Sequence, residues 1–239
     1  MKEVRYFFVP DAANQSELPS DEAMHALRVL RLKAGDEMFL MDGVGCYYRA
    51  QVTIAATQHC HYEILEQLPQ ERPWEGLVHL AIAPTKMMDR IEWLSEKATE
   101  IGVDEISFIN TKFSERKLVK IPRLDKIVVS AVKQSRKAWK PQLNEIVSLK
   151  DFIRKHQEGR RYIAHCYDEI PREDLYTLLD KAVPEEDATL LIGPEGDFST
   201  EEIILCKSLN YKEIKLGSRR LRTETAALYG CFTIAAKNN

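Results

Sequence analysis

A polar stretch carrying two prolines, Pro69-Gln70-Glu71-Arg72-Pro73, divides this chain into two parts whose apolar residues follow different rhythms. Proline fixes φ and lacks an amide donor, so the stretch resists both helix and central strand and marks a domain boundary. Before it, Glu37-Met38-Phe39-Leu40-Met41, Tyr47-Tyr48-Arg49-Ala50-Gln51-Val52 and His61-Tyr62-Glu63-Ile64-Leu65 read as strands, the first two joined through Asp42-Gly43. One helix precedes them. Ser20 is its expected cap, Asp21 and Glu22 suit its positive end, and Met24, Leu27, Val29 and Leu30 are expected on its inner face. Residues 1–70 thus read as a small β-rich unit.

After the boundary, strands alternate with helices. Leu77-Val78-His79-Leu80-Ala81-Ile82-Ala83 has the character of a buried strand, and Met88 to Ile101 places Ile91, Leu94, Ala98 and Ile101 at helical spacing before Gly102 stops the helix. Glu105-Ile106-Ser107-Phe108-Ile109 is the next strand, and Leu124, Ile127, Val128, Ala131 and Val132 mark a second helix. Arg161 to His165, Ala188 to Ile192 and Glu213 to Leu216 add three more strands. This order argues for an α/β domain with a mostly parallel sheet over residues 74–239.

Charge is unevenly placed. The 34 basic and 37 acidic residues leave a net charge of -3, yet ten basic and only two acidic residues lie between Lys112 and Lys140. That segment suits a phosphate backbone; its bland reading is a solvated helix face. No apolar run approaches the ~20 residues of a membrane span, and Met1-Lys2-Glu3-Val4-Arg5 lacks the apolar core of a secretory signal. Five cysteines without a C-x-x-C pair read as reduced thiols, so a cytoplasmic protein is expected.

Ligands of open α/β sheets bind beyond the carboxyl ends of strands, where glycine lets backbone approach them closely. Two such loops follow late strands here: Gly193-Pro194-Glu195-Gly196 after Leu191-Ile192, and Gly217-Ser218 after Leu216. Ser199 and Glu202 form a capping-box pattern that ends the first loop. The second continues Arg219-Arg220-Leu221-Arg222 into a helix starting near Thr223. Arginines beside a helix amino terminus are unfavourable unless an anion sits there, so a bound anion is the sharper reading. The helix itself has few charges and many small residues, and is expected to be buried in its own domain or against a partner. His59-Cys60-His61 lacks further ligands nearby, so no metal is expected, and neighbouring His165 and Cys166 point to opposite faces of a strand. Neither a P-loop nor an early G-x-G-x-x-G is present.

At these residues the sequence resembles the RsmE-type ribosomal RNA uridine-N3 methyltransferases of the SPOUT (α/β-knot) class. The matching pieces are Arg5-Tyr6-Phe7-Phe8, His25 to Arg31 with Gly35-Asp36, Asp89 to Val103, Gln134-Ser135, Leu191 to Gly196, and Leu216-Gly217 with Leu221 to Ala226. The resemblance implies an α/β SPOUT domain with a trefoil knot, preceded by a small PUA-like β-barrel. It implies S-adenosylmethionine held by His165, by Ile192, Gly193, Pro194, Glu195 and Gly196, and by Leu216, Gly217, Ser218, Leu221, Arg222, Thr223 and Ala226. It also implies a homodimer acting on small-subunit ribosomal RNA in the small ribosomal subunit. Candidate RNA contacts are Arg5, Arg28, Arg31, Arg116, Lys133, Gln134, Ser135, Arg136 and Lys137. Two departures stand out: Lys133-Gln134-Ser135-Arg136-Lys137 replaces the family's Glu-Gln-Ser-Gly-Arg, and Asp197 stands where a second loop glycine is usual.

The expected reaction is direct methyl transfer to N3 of an unstacked uridine in 16S ribosomal RNA. A cation near the uracil oxygens would stabilise the anion that forms, and Arg222 is the candidate. Arg220 or Glu224 could share that work, or Glu224 could simply cap the helix. The competing readings are methylation of another base or of ribose, a non-catalytic RNA-binding assembly factor, and a thiol hydrolase using Cys166.

Overall fold

The computed structural model of this chain describes residues 5–238, so the amino-terminal run Met1-Lys2-Glu3-Val4 lies outside the described residues. The chain forms two compact units. One comprises the residues up to Arg72 together with Val129–Lys140; the other comprises Pro73–Val128 and the residues from Pro141. The sequence places one boundary near Pro69–Pro73; the second crossing falls inside helix α3 (Ile121–Ser135). Hydrophobic spacing carries no sign of it, because buried Leu124, Val128, Ala131 and Val132 continue one helical stripe through the division.

In the first unit, β1 (Tyr6–Phe8), β2 (Glu37–Met41), β3 (Cys46–Ala55) and β4 (Cys60–Pro69) form a four-stranded sheet in that order. β1 runs parallel to β2, and the other pairs are antiparallel. Two-residue alternation buries Phe7, Met38, Leu40, Tyr48 and Ala50 in the core and turns Tyr6, Phe39, Tyr47 and Arg49 to the opposite face. The helix expected from Ser20 needs correction. α1 spans Ser20–Met24, Ser20 is its first residue rather than a side-chain cap, and a π-helical turn follows over His25–Val29. The wider turn changes which residues face inward. Ala23 and Ala26 are buried, whereas Met24 and Val29 are 43% and 65% exposed.

The second unit is built on seven strands. β5 (Val78–Ile82), β6 (Glu105–Asn110), β7 (Gln142–Ser148), β8 (Arg160–Ala164), β9 (Glu173–Asp174), β10 (Ala188–Ile192) and β11 (Lys212–Lys215) lie in the order β7-β6-β5-β10-β8-β11-β9. Every pairing is parallel. A parallel sheet is buried on both faces, and here two cores cover it. Val78, Leu80, Ile82 and Leu190 meet Ile91 and Leu94 of α2 (Met88–Ile101) and Ala227, Cys231 and Ile234 of α7 (Thr223–Asn238). On the other face, Ala81, Ile163 and Leu191 meet Phe152 of α4 (Leu149–Lys155) and Ile203 and Cys206 of α6 (Thr200–Ser208).

Local chemistry fixes the ends. Gly102, at φ 100, terminates α2 in the left-handed conformation, its N–H shared between the carbonyls of Ala98 and Thr99 at 3.1 Å. The capping box at α6 forms as its sequence predicts: Ser199 N–H donates to Glu202 Oε2 at 2.8 Å, and Glu202 N–H donates to Ser199 Oγ at 3.4 Å. Gly230 of α7 packs against Leu190 of β10 so closely that a methyl group there would collide with it. β7, β9 and α5 (Leu175–Leu179) are absent from the sequence reading because the two edge strands carry no apolar run and the helix is too short to establish a period.

Candidate functional site

Because all seven strands run parallel, the loops after β10, β8 and β11 leave adjacent strands at one edge of the sheet, where α/β folds bind ligands. They enclose a cleft of about 280 Å³, near the lower bound of the ~300–1,000 Å³ typical of small-molecule sites. Ala164, His165 and Cys166 enter it from the end of β8. The β10 loop supplies Ile192, Gly193, Pro194, Glu195 and Asp197, and the β11 loop supplies Leu216, Gly217, Leu221 and Arg222. Thr223 and Ala226 complete that wall from the first turn of α7. The cofactor-binding residues named from the sequence thus converge, with two exceptions. Gly196 and Ser218 belong to the same loops but are exposed and off the cleft wall.

The loops are tied together by a residue that sequence reasoning left without a role. Asp197 adopts φ 65, the left-handed region that glycine enters freely and aspartate enters more readily than most residues. Its Oδ2 accepts the Cys166 N–H and its Oδ1 accepts the Phe198 N–H, both at 2.7 Å. Aspartate at this position thus occupies a backbone conformation open to glycine and adds a bond between the β10 and β8 loops. On the β8 side, Arg172 donates through Nη1 to the His165 carbonyl and through Nη2 to Asp168, both at 2.7 Å. His165 Nδ1 accepts the Tyr167 N–H at 3.3 Å, and burial pushes the imidazole pKa down, which favours the neutral ring. The same burial pushes the Cys166 thiol up, which disfavours a thiolate nucleophile.

Cations dominate the cleft. Arg90, Arg172, Lys215, Arg219, Arg220 and Arg222 line it against the two acids Glu195 and Asp197. Arg90 comes from the first turn of α2, within the matching stretch Asp89 to Val103, where no sequence signal sets it apart. Glu224 does not line the cleft. It is buried behind the wall in the first turn of α7, with Oε1 3.8 Å from Arg90 Nε and Oε2 buried without a hydrogen-bond partner. No spacing rule links Arg90 to Glu224, since the pair forms only when α2 packs on α7.

The basic segment is divided between the two units, and several of its residues are engaged internally. Arg116 donates to the carbonyls of Thr85 and Lys86 at 2.6–3.2 Å, fixing the loop after β5. Lys133 Nζ holds both oxygens of the buried Glu22 carboxylate at 2.6 and 2.9 Å, and Ser135 Oγ donates to the Ala131 carbonyl at 2.6 Å. Arg28, Arg31, Gln134 and Arg136 are exposed, whereas Arg5 and Lys137 are half-buried. Among the described residues, no cluster of three or more His, Cys, Asp or Glu could hold a metal ion.

Comparison with known proteins places this geometry. The family described as RNA methyltransferase domain matches residues 72–235. Ribosomal RNA small subunit methyltransferase E of Rickettsia conorii is 31% identical over 215 residues, covering 89% of this chain and 86% of that protein. A crystal structure from Porphyromonas gingivalis, named as a probable rRNA-methyltransferase, superposes with a TM-score of 0.91 at 37% identity and 98% coverage of both chains. A Legionella pneumophila protein named as a putative methyltransferase and solved with bound cofactor SAM gives a TM-score of 0.81 at 27% identity, again over 98% of both chains.

Proposed function

The chain belongs to the ribosomal RNA small subunit methyltransferase E family of RNA methyltransferases, and on that premise we propose that it transfers a methyl group from S-adenosylmethionine to N3 of a uridine in 16S ribosomal RNA. The observation that carries this reading is the cleft at the carboxyl ends of β8, β10 and β11, where two glycine loops meet an arginine-rich rim. The residues fit the cofactor. Ile192, Leu216, Leu221 and Ala226 offer apolar surface for an adenosine, bare backbone at Gly193 and Gly217 permits close approach, and the arginines suit a carboxylate.

S-adenosylmethionine supplies a methyl already activated on a sulfonium centre. The work left to this chain is to hold donor and base in line and to favour loss of the N3 proton. Arg222, exposed at the cleft, is the cation positioned to stabilise negative charge developing on the uracil oxygens. Glu224 fills a different role from a proton acceptor in the open cleft: it stands behind Arg90 and orients it. N3 is occupied in a Watson-Crick pair, so the target uridine must be displayed in a loop or flipped out.

We infer a trefoil knot in the carboxyl-terminal segment, supported by the order β10-β8-β11 and the return of the chain to pack α7 on β5 and β10. The first unit is read as a PUA-like RNA-binding barrel, supported by its compact four-stranded β-sheet. A homodimer is favoured by α7, whose positions Thr225, Tyr229, Phe232 and Ala236 form one exposed stripe, with Tyr229 and Phe232 45% and 60% exposed. Trp93 of the adjacent α2 is likewise 44% exposed. The site of action is the small ribosomal subunit in the cytoplasm; among the described residues no helix is long and apolar enough to cross a membrane.

Primer extension on 16S ribosomal RNA from cells lacking this protein tests the target. N3 methylation blocks base pairing and stops reverse transcriptase. One uridine stop present in normal cells should vanish in deleted cells and return with the intact gene; an unchanged set of stops would contradict the assignment.

A further inference from the structure

We propose that Arg136 and Tyr6, on the outer face of the four-stranded sheet, form a stacking platform for an unpaired RNA base; this rests on the reading of the chain as an RNA methyltransferase. Arg136 is exposed yet held at φ 51, a left-handed conformation that arginine rarely adopts. Its backbone is pinned there. The Tyr47 hydroxyl donates to the Arg136 carbonyl at 2.6 Å, and the neighbouring Lys137 N–H donates to the Val132 carbonyl at 3.1 Å. The result lays the guanidinium over the Tyr6 ring, 5.1 Å from its centroid.

Tyr6 is itself supported. Sheet register sets it opposite Phe39, with ring centroids 5.5 Å apart, and the Tyr47 ring meets it edge-on at 5.9 Å. These rings are half-buried and face away from the core formed by Phe7, Leu40 and Tyr48. The charge balance of this face selects Arg136. Arg49 is neutralised by Glu37 and Glu66 at 3.4 and 3.1 Å, whereas among the described residues no carboxylate pairs with Arg136.

A strained, exposed arginine adds little to folding, because glycine would satisfy that backbone at no steric cost. A guanidinium plane backed by aromatic rings, by contrast, is the surface on which unpaired bases stack, and Arg5 and Lys137 flank it in sequence to receive phosphates. The occupant is therefore single-stranded RNA, and the contact is to a base face rather than to phosphate alone.

The test is binding of fluorescent oligouridylate to the full chain over a range of salt, beside an oligouridylate–oligoadenylate duplex, with thermal melts as a check on folding. Wild type should prefer the single strand. Arg136→Lys keeps the charge and loses the plane, so affinity should fall about tenfold with the salt slope unchanged. Arg136→Gly should fold as well as wild type and bind at least as weakly as the lysine variant. Tyr6→Phe should bind like wild type and Tyr6→Leu should not. Wild-type affinity in Arg136→Lys, or in Tyr6→Leu, would overturn the proposal. Failure of the methyltransferase reading would show separately, as a wild-type protein that neither binds S-adenosylmethionine nor modifies small subunits.

Discussion

The buried carboxylate of Glu224 stands 3.8 Å from the guanidinium of Arg90, joining the first turn of α7 to the first turn of α2 at the back of the cleft. A carboxylate with one oxygen unpartnered and buried depends on that neighbour, since an unpaired buried charge is costly. Arg90→Met should therefore destabilise the fold by about 1–3 kcal/mol. Glu224→Gln should slow single-turnover methyl transfer more than it weakens cofactor binding, by loosening Arg90. Denaturant unfolding of both single variants and the double variant checks the coupling. Simple addition of the two losses would mean that the pair does not act as a unit.

Asp197 gives a second prediction. Asp197→Gly relieves the left-handed backbone by about 1 kcal/mol but removes two bonds to a carboxylate, at Cys166 and Phe198, which together outweigh that relief, so stability should fall by about 1–2 kcal/mol. Calorimetry should show S-adenosylmethionine affinity reduced about tenfold, and amide exchange at Cys166 should accelerate. Asp197→Asn, which retains one carbonyl acceptor, should fall between. Undiminished affinity in the glycine variant would show that the tie between the loops is dispensable.

Stability should weaken in acid because of His79. Burial, reinforced by nearby His156, lowers its pKa from 6.5 to about 3, even though Glu105 lies 3.6 Å away and would favour the charged ring. Between those values the unfolded chain binds a proton that the folded chain refuses. Stability conferred by neutral His79 is thus complete above about pH 6.5 and is lost as pH falls toward 3. Moving from about pH 8 to about pH 5 should cost about 2 kcal/mol. Urea titrations across that interval measure it, and His79→Gln should flatten the slope whatever its effect on stability near neutrality.

Arg222→Ala should reduce turnover much more than cofactor affinity, because its assigned partner is charge that develops on the uracil ring. Pairing single-turnover kinetics with calorimetry separates the two. Equal losses would instead assign Arg222 to cofactor binding.

Legibility of the sequence followed the strength of local signals. β5, β10 and α2 carry unbroken apolar runs or a clear helical period, and the capping box of Ser199 and Glu202 fixed where the β10 loop ends. The two glycine loops were found because glycine and clustered arginines announce themselves in one dimension. The roles of Arg90 and Asp197 are not legible in one dimension because they arise from long-range packing: one meets Glu224 across two helices, and the other meets Cys166 across two strands. The internal contacts of the basic segment are illegible for a related reason. Charge along a chain does not reveal that Lys133 will neutralise Glu22 or that Arg116 will be spent on two carbonyls.

The most direct test of the central claim is transfer of labelled methyl from S-adenosylmethionine to unmodified small ribosomal subunits, beside transfer RNA and naked ribosomal RNA, followed by nucleoside analysis. The account predicts label on the small subunit, recovered as 3-methyluridine. Label recovered in another nucleoside, or no transfer to any of these RNAs by protein that binds the cofactor, would contradict it.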